Sequence, residues 1–389
     1  MGNGSFGFAG ARQIIRNQSP IATLRRMKEE LIGRWILTDK GVVKGYLRVL
    51  EETVEEVCLG NPPSGSSKVC IIPGFVNAHT HIGDSVAYPA PRGSVEELVG
   101  PPDGFKHRVL KERSMKEKSV AMRFASDLMA RSGTSCFVDF REEGLEGVRM
   151  LSASLGPLAP RSVVLGRPLD INSANGEIDA LLGSCDGLGL SALKDWPLDI
   201  LTKLSARAKS AGKLFSIHAS ETVREDIDEV LSLKPDFVVH MVKATDEDIA
   251  ACVDSGVPIV VCPRSNEFFG LELDIPRLLR AGATVGLGTD NGMISRPVML
   301  EELQTAYQIG ARKGGISPLQ TVSLATFGGR KVLNAKGNIT TETGVGDDLA
   351  VIRVKGEDPL LELVTSARPD DVLAVIRGGK LWRSESWTK

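Results

Sequence analysis

Leu214-Phe215-Ser216-Ile217-His218 is followed by the amphipathic run Glu225–Leu233 and then by Phe237-Val238-Val239-His240. Two short apolar runs joined through a helical segment are the signature of a βα unit feeding a parallel sheet. The same alternation extends in both directions. Strands are expected at Val69–His79, Thr134–Phe140, Ser162–Arg167, Gly187–Leu193, Leu214–His218, Phe237–His240, Pro258–Cys262 and Thr284–Gly288. Helices are expected at Glu112–Ser132, Asp199–Ala211, Glu225–Leu233, Asp246–Ser255 and Val298–Lys313, between most of the strands. Eight such strands close a TIM (β/α)8 barrel, which assigns the chain to the α/β class.

The flanks read differently. Trp35 to Cys58 is β-type text broken by Gly41 and Gly45, and β text returns in Gly344–Ile352 and Asp371–Trp382. No barrel position remains for these strands, so both chain ends are expected to combine in one small β-sandwich. The expected organisation is an N-terminal extension over 1–30, a composite β domain from 31–72 plus 337–389, and a catalytic barrel over 73–336.

Composition excludes several classes. A formal net charge of −2 provides no basic field for nucleic acid. No apolar stretch approaches the roughly 20 residues that cross a bilayer, and the first residues carry neither a signal-peptide core nor a myristoylation motif. The six cysteines contain no C-x-x-C pair and mostly lie in apolar runs, as buried reduced thiols do. A small-molecule partner and a cytoplasmic location are the expectations.

Chemistry concentrates at strand ends. His79 and His81 close Pro73-Gly74-Phe75-Val76-Asn77-Ala78-His79-Thr80-His81, and residues i and i+2 of a strand face the same way. His218 ends the fifth strand, His240 the sixth, and Asp290 follows the eighth in Val285-Gly286-Leu287-Gly288-Thr289-Asp290. A TIM barrel keeps its chemistry at these C-terminal ends. His79, His81, His218 and Asp290 therefore read as a three-imidazole, one-carboxylate set for one divalent metal ion, with Zn²⁺ first and Fe²⁺ second. Such an ion lowers the pKa of its water to about 7 and makes hydroxide available. Glu221, three residues beyond His218, is placed to move protons, and His240 to hold the hydroxide or polarise the substrate.

These motifs, with His218-Ala219-Ser220-Glu221 and Gly288-Thr289-Asp290-Asn291, resemble the amidohydrolase superfamily, in its mononuclear cytosine, guanine and S-adenosylhomocysteine deaminase branch, to which chlorohydrolases are related. The resemblance runs from about residue 31 onward. It implies the same four metal ligands, Glu221 as proton shuttle and His240 on the hydroxide or substrate. Binuclear branches place a carboxylated lysine after the fourth strand. Gly187-Leu188-Gly189-Leu190-Ser191 has none, and Lys194 reads as a loop residue, so one metal is expected. Barrels of this kind often assemble, which makes a homo-oligomer an expectation of the resemblance.

Specificity belongs to the loops. The long loop over 82–111 carries Asp84, Tyr88, Arg92, Phe105, Lys106 and Arg108, with His107 read as a solvated side chain. Arg141 and Glu142 after the second strand, and Arg264 and Asn266 after the seventh, are the expected substrate-binding residues. The expected reaction is hydrolysis of a non-peptide C–N bond, foremost deamination of an amino-substituted purine, pyrimidine or related heterocycle. Opening of a cyclic amide or cleavage of an N-acyl bond is the alternative, and a non-catalytic barrel the third reading.

Overall fold

Pro73 and Gly74 divide the chain between two sheets. The computed structural model describes residues 29–64, 66–169, 175–333 and 348–385. Before the division lie β1 (Glu29–Ile32), β2 (Trp35–Thr38), β3 (Gly41–Leu50), β4 (Thr53–Leu59) and β5 (Val69–Pro73). After it, β6 spans Phe75–His81. The continuous strand expected over Val69–His79 is thus two strands in different sheets. Pro73 has no N–H to extend a ladder, and the Gly74 N–H instead donates to Asp348 O at 2.8 Å while that of Phe75 donates to Gly133 O at 2.9 Å.

The larger sheet is the expected barrel. β6 is followed by β7 (Thr134–Arg141), β8 (Arg161–Gly166), β9 (Gly187–Leu190), β10 (Leu214–Ala219), β11 (Phe237–His240), β12 (Ile259–Val261) and β13 (Val285–Leu287). Each pairs in parallel with the next. β14 (Asp290–Asn291) continues the line of β13 and pairs in parallel with β6, Asp290 opposite Thr80 and Asn291 opposite His81. This pairing closes the ring between the eighth strand and the first.

Strand alternation sorts the core into layers. On β7, Phe137 packs with Met122, Ala125 and Met129 of the helix Met115–Arg131, so it faces outward. Cys136, Val138 and Phe140 pack instead with Val163, Leu165, Phe237, Val239 and Val260, which fill the barrel. The outer helices fall close to expectation at Leu198–Ser210, Ile227–Ser232, Asp246–Asp254 and Met299–Arg312. Capping boxes at Ser114/Glu117 and Thr245/Asp248 fix two of the starts.

The smaller sheet takes strands from both chain ends, as expected. β15 (Leu349–Arg353) lies antiparallel to β5, β16 (Val372–Arg377) to β15, and β17 (Lys380–Arg383) to β16. β17 reaches β4, β4 pairs β3, β3 pairs β2, and β2 runs parallel to β5, so the sheet closes into a small barrel. Ile36, Leu47, Ile71, Val351 and Ile376 fill it. Glu29 and Glu30, placed in the terminal extension from sequence, belong to β1; residues 1–28 of that extension lie outside the described residues.

Candidate active site

At the C-terminal rim of the large barrel, β6, β10, β11 and β14 bring their polar ends together. One ligand atom from each of His79, His81, His218 and Asp290 lies within 4.8 Å of the corresponding atoms of the other three. Nε2 of His79 is 3.3 Å from Asp290 Oδ1, and Nε2 of His81 is 3.7 Å from the same oxygen. A second group, Glu221, His240 and Asp290, converges within the same limit and shares Asp290 with the first.

The backbone is strained into this arrangement. His240 and Asp290 have φ of 80° and 56°, and Ser220 and Met241 of 48° and 54°, in the left-handed region that non-glycine residues rarely occupy. Gly288 presses against His79, where a Cβ would stand 2.7 Å from the His79 Cβ and 2.8 Å from its backbone nitrogen. Nδ1 of His218 is 2.7 Å from Leu190 O, which makes it the N–H donor and leaves Nε2 as the lone-pair nitrogen toward the site. Ser265 Oγ–H donates to Asp290 Oδ2 at 2.5 Å and orients that carboxylate.

Electrostatics suit a cation. Burial holds His79 and His240 below the ordinary histidine value and His81 and His218 well below it, so all four rings are neutral at pH 7 and offer lone pairs. Burial opposes the charge on Asp290, but His79, with His240 and His81, outweighs it and holds the carboxyl well below the usual range. Among the described residues, both ring nitrogens of His79 and Nδ1 of His81 are buried without a hydrogen bond. Buried neutral imidazoles around an ionised carboxylate form a donor set that a divalent ion fits.

Glu221 sits differently. Its Oε1 is 3.6 Å from His240 Nε2, and burial, reinforced by the charge of Asp290, raises its carboxyl to about 8. A carboxyl at about 8 is mostly protonated at pH 7 but keeps a carboxylate fraction that can accept a proton, beside a neutral imidazole.

The rim candidates separate. A cleft partly open to solvent is lined by His81, His218, Glu221, His240, Asp290 and, among the four expected substrate-binding residues, Glu142. Arg141 is turned outward, its Nη1 3.4 Å from Asp139 Oδ2 and its Nε donating to Glu142 O at 3.3 Å. Arg264 is engaged off the cleft by Glu302 at 2.6 Å and Glu301 at 2.5 Å. Asn266 is buried, with neither amide atom hydrogen-bonded, and does not line the cleft.

Lys106, named from sequence in the specificity loop, does line it, together with Arg167 and Lys194, which were not singled out as substrate-binding. Alternation could have separated the first pair: Phe140 points into the barrel, so Arg141 must point out and Glu142 back. No periodicity marks the other three, which sit beyond strand ends. His107, expected in solvent, is part-buried on the helix Phe105–Glu112, and burial brings its ring down to about 4.

Among the described residues no helix is long and apolar enough to cross a membrane. The Amidohydrolase family model matches residues 70–382. A protein of Archaeoglobus fulgidus named "Putative aminohydrolase" is 35% identical over 352 residues, covering 89% of this chain and 97% of its own. A 5-methylthioadenosine/S-adenosylhomocysteine deaminase of Thermococcus onnurineus is 26% identical, covering 80% of this chain and 82% of its own. A zinc-bound adenosine deaminase from Xanthomonas campestris shares the fold with a TM-score of 0.75 at 19% identity, over 92% of this chain and 93% of its own. A family match across both sheets, together with the convergence of histidines and aspartate at the barrel rim, leads to one conclusion: the chain belongs to the Amidohydrolase family and is a hydrolase acting on carbon–nitrogen bonds other than peptide bonds.

Proposed function

We propose that this hydrolase deaminates an amino-substituted nitrogen heterocycle, with one divalent metal ion, zinc foremost, held by His79, His81, His218 and Asp290. The observation that carries the reading is the second convergence, in which Glu221, His240 and Asp290 meet beside the four-residue donor set. When bound, such an ion supplies Lewis acidity and hydroxide at neutral pH.

The remaining chemistry falls to the chain. Water adds to the amino-bearing ring carbon, and its proton is taken by the Glu221 carboxylate. Glu221 then delivers that proton to the departing nitrogen, which leaves as ammonia, and the added hydroxyl's proton passes to the ring nitrogen so that the amino carbon becomes a carbonyl. A carboxyl raised to about 8 is matched to both tasks near neutral pH. His240, neutral and 3.6 Å from Glu221 Oε1, steadies the added oxygen through Nε2. The deaminase names carried by relatives support this direction of cleavage over ring opening. All six cysteines are free thiols, as a reducing cytoplasm keeps them.

Zinc-loaded protein incubated with aminopurines, aminopyrimidines, their nucleosides and cyclic ureas tests the reading. Ammonia released stoichiometrically with an oxo product is the expected result. A new carboxylate without ammonia would assign the site to cyclic amide hydrolysis instead.

A further inference from the structure

Glu142 is the feature of the cleft that the proposed chemistry leaves unused. It follows β7, its side chain is 9% exposed, and it lines the cleft beside His81 and His218. Its two oxygens are not equivalent. Oε1 accepts from Lys106 Nζ at 2.9 Å and lies 3.6 Å from Arg167 Nη1, whereas Oε2 has no hydrogen bond among the described residues. Lys106 is buried with its Nζ also 3.5 Å from Asp84 Oδ2, and that oxygen accepts from Asn291 Nδ2 at 2.8 Å. Asn291 directly follows Asp290, so the network is tied to the floor of the site.

Two cations on one oxygen fix the carboxylate's charge and its orientation. Oε2, without a protein partner among the described residues and at the edge of the cleft, is left to accept from whatever occupies it, and a ligand N–H can take that place. Lys106 lines the cleft next to this acceptor and carries three N–H donors, of which Glu142 and Asp84 engage two. Acceptor and donor side by side complement an edge on which a ring N–H adjoins a carbonyl. A ribose diol fits less well, because its two hydroxyls would seek both carboxylate oxygens and Oε1 is taken.

We propose, building on the deaminase reading, that Glu142 and Lys106 select an oxo-substituted amino heterocycle, Glu142 Oε2 accepting from the ring N–H and Lys106 Nζ donating to the adjacent carbonyl. Substrates of the adenine type, which lack this edge, are disfavoured.

Two matched pairs of probes isolate the edge: guanine against 2-aminopurine, and cytosine against 4-aminopyrimidine. Calorimetric binding to the zinc-loaded full chain is measured beside ammonia release, for the wild type, Glu142→Gln and Lys106→Met. At least one oxo member is expected to bind the wild type roughly 10- to 100-fold more tightly than its partner, the range of a charged hydrogen bond. Glu142→Gln and Lys106→Met should each collapse that ratio and leave zinc content unchanged. The ratio is read within one preparation, so partial misfolding does not alter it.

Equal binding within both pairs, or a ratio that survives Glu142→Gln, overturns the proposal. If edge-dependent binding is present but no heterocycle releases ammonia, the deaminase reading falls and this one stands. If adenosine is deaminated as well by Glu142→Gln as by the wild type, with no oxo preference, this one falls and the deaminase reading stands.

Discussion

His79 is 0% exposed, and both of its ring nitrogens lack a hydrogen bond among the described residues. An unpaired buried polar atom costs about 1–3 kcal/mol, which a protein carries where a ligand supplies the partner. Glu221 is not part of that donor set, so its substitution separates chemistry from metal binding. Glu221→Gln should lower kcat by about 10²- to 10⁴-fold and leave the metal content of the purified protein unchanged, as kinetics and elemental analysis together would show. Full activity in that variant would remove Glu221 from the proton path. At this scale the sequence was readable where a polar residue ended an apolar run, as His218 and His240 do. It was less readable for Arg264, which lies on the helix after its strand, whereas alternation from Phe140 already turns Arg141 outward. The partners that turn them aside, Asp139 beside Arg141 and Glu301 and Glu302 beside Arg264, are a neighbour on the same strand in one case and a distant helix in the other. The specificity loop already named Lys106, but its pairing carried no local signal, since Glu142 and Asp84 meet it only in the folded chain.

The elements set the positions of these groups, and small changes in them should be visible at the site. Gly288 lies between β13 and β14 with its Cα facing His79; a Cβ there would meet the His79 carbonyl oxygen at 2.7 Å. Gly288→Ala should therefore shift His79 and weaken metal retention by roughly 10- to 100-fold, the range for residues that orient a ligand, while circular dichroism stays that of the folded barrel. Unaltered metal affinity would show that the close approach is not needed. Ser114 acts at a distance from the site: it caps the helix Met115–Arg131 reciprocally with Glu117. Ser114→Ala should cost about 1 kcal/mol of stability, read as a lower denaturation midpoint with unchanged metal content. Most barrel elements were legible because periods of two and 3.6 residues were strongly written in them. The exception was the passage from β5 to β6, where Pro73-Gly74 interrupts an apolar run that was read as one strand. The pairings of Gly74 with Asp348 and of Phe75 with Gly133, far along the chain, fix where the first ends and the second begins.

Across the whole molecule, the ligands come from both ends of the barrel sequence, His79 and His81 from the first strand and Asp290 from the eighth, whose pairing closes the ring. An ion bridging them would tie that closure, so binding is linked to global stability. An ion present at 100 times its Kd adds about 2.7 kcal/mol to the folded state. Chelation should lower the thermal midpoint of the wild type, with a much smaller effect on His218→Ala; equal shifts in both would place the ion elsewhere. The composite small barrel was anticipated in its membership from both chain ends. Its closure could not be read from sequence, because β17 meets β4 through very few residues.

The most direct measurement is metal stoichiometry by mass spectrometry of the wild type, His218→Ala and Asp290→Asn after zinc loading and desalting. The wild type should hold close to one ion per chain and both variants should lose it while remaining folded. A wild type that retains no metal, or variants that retain as much as the wild type, would contradict the assignment of His79, His81, His218 and Asp290 as the site's metal ligands.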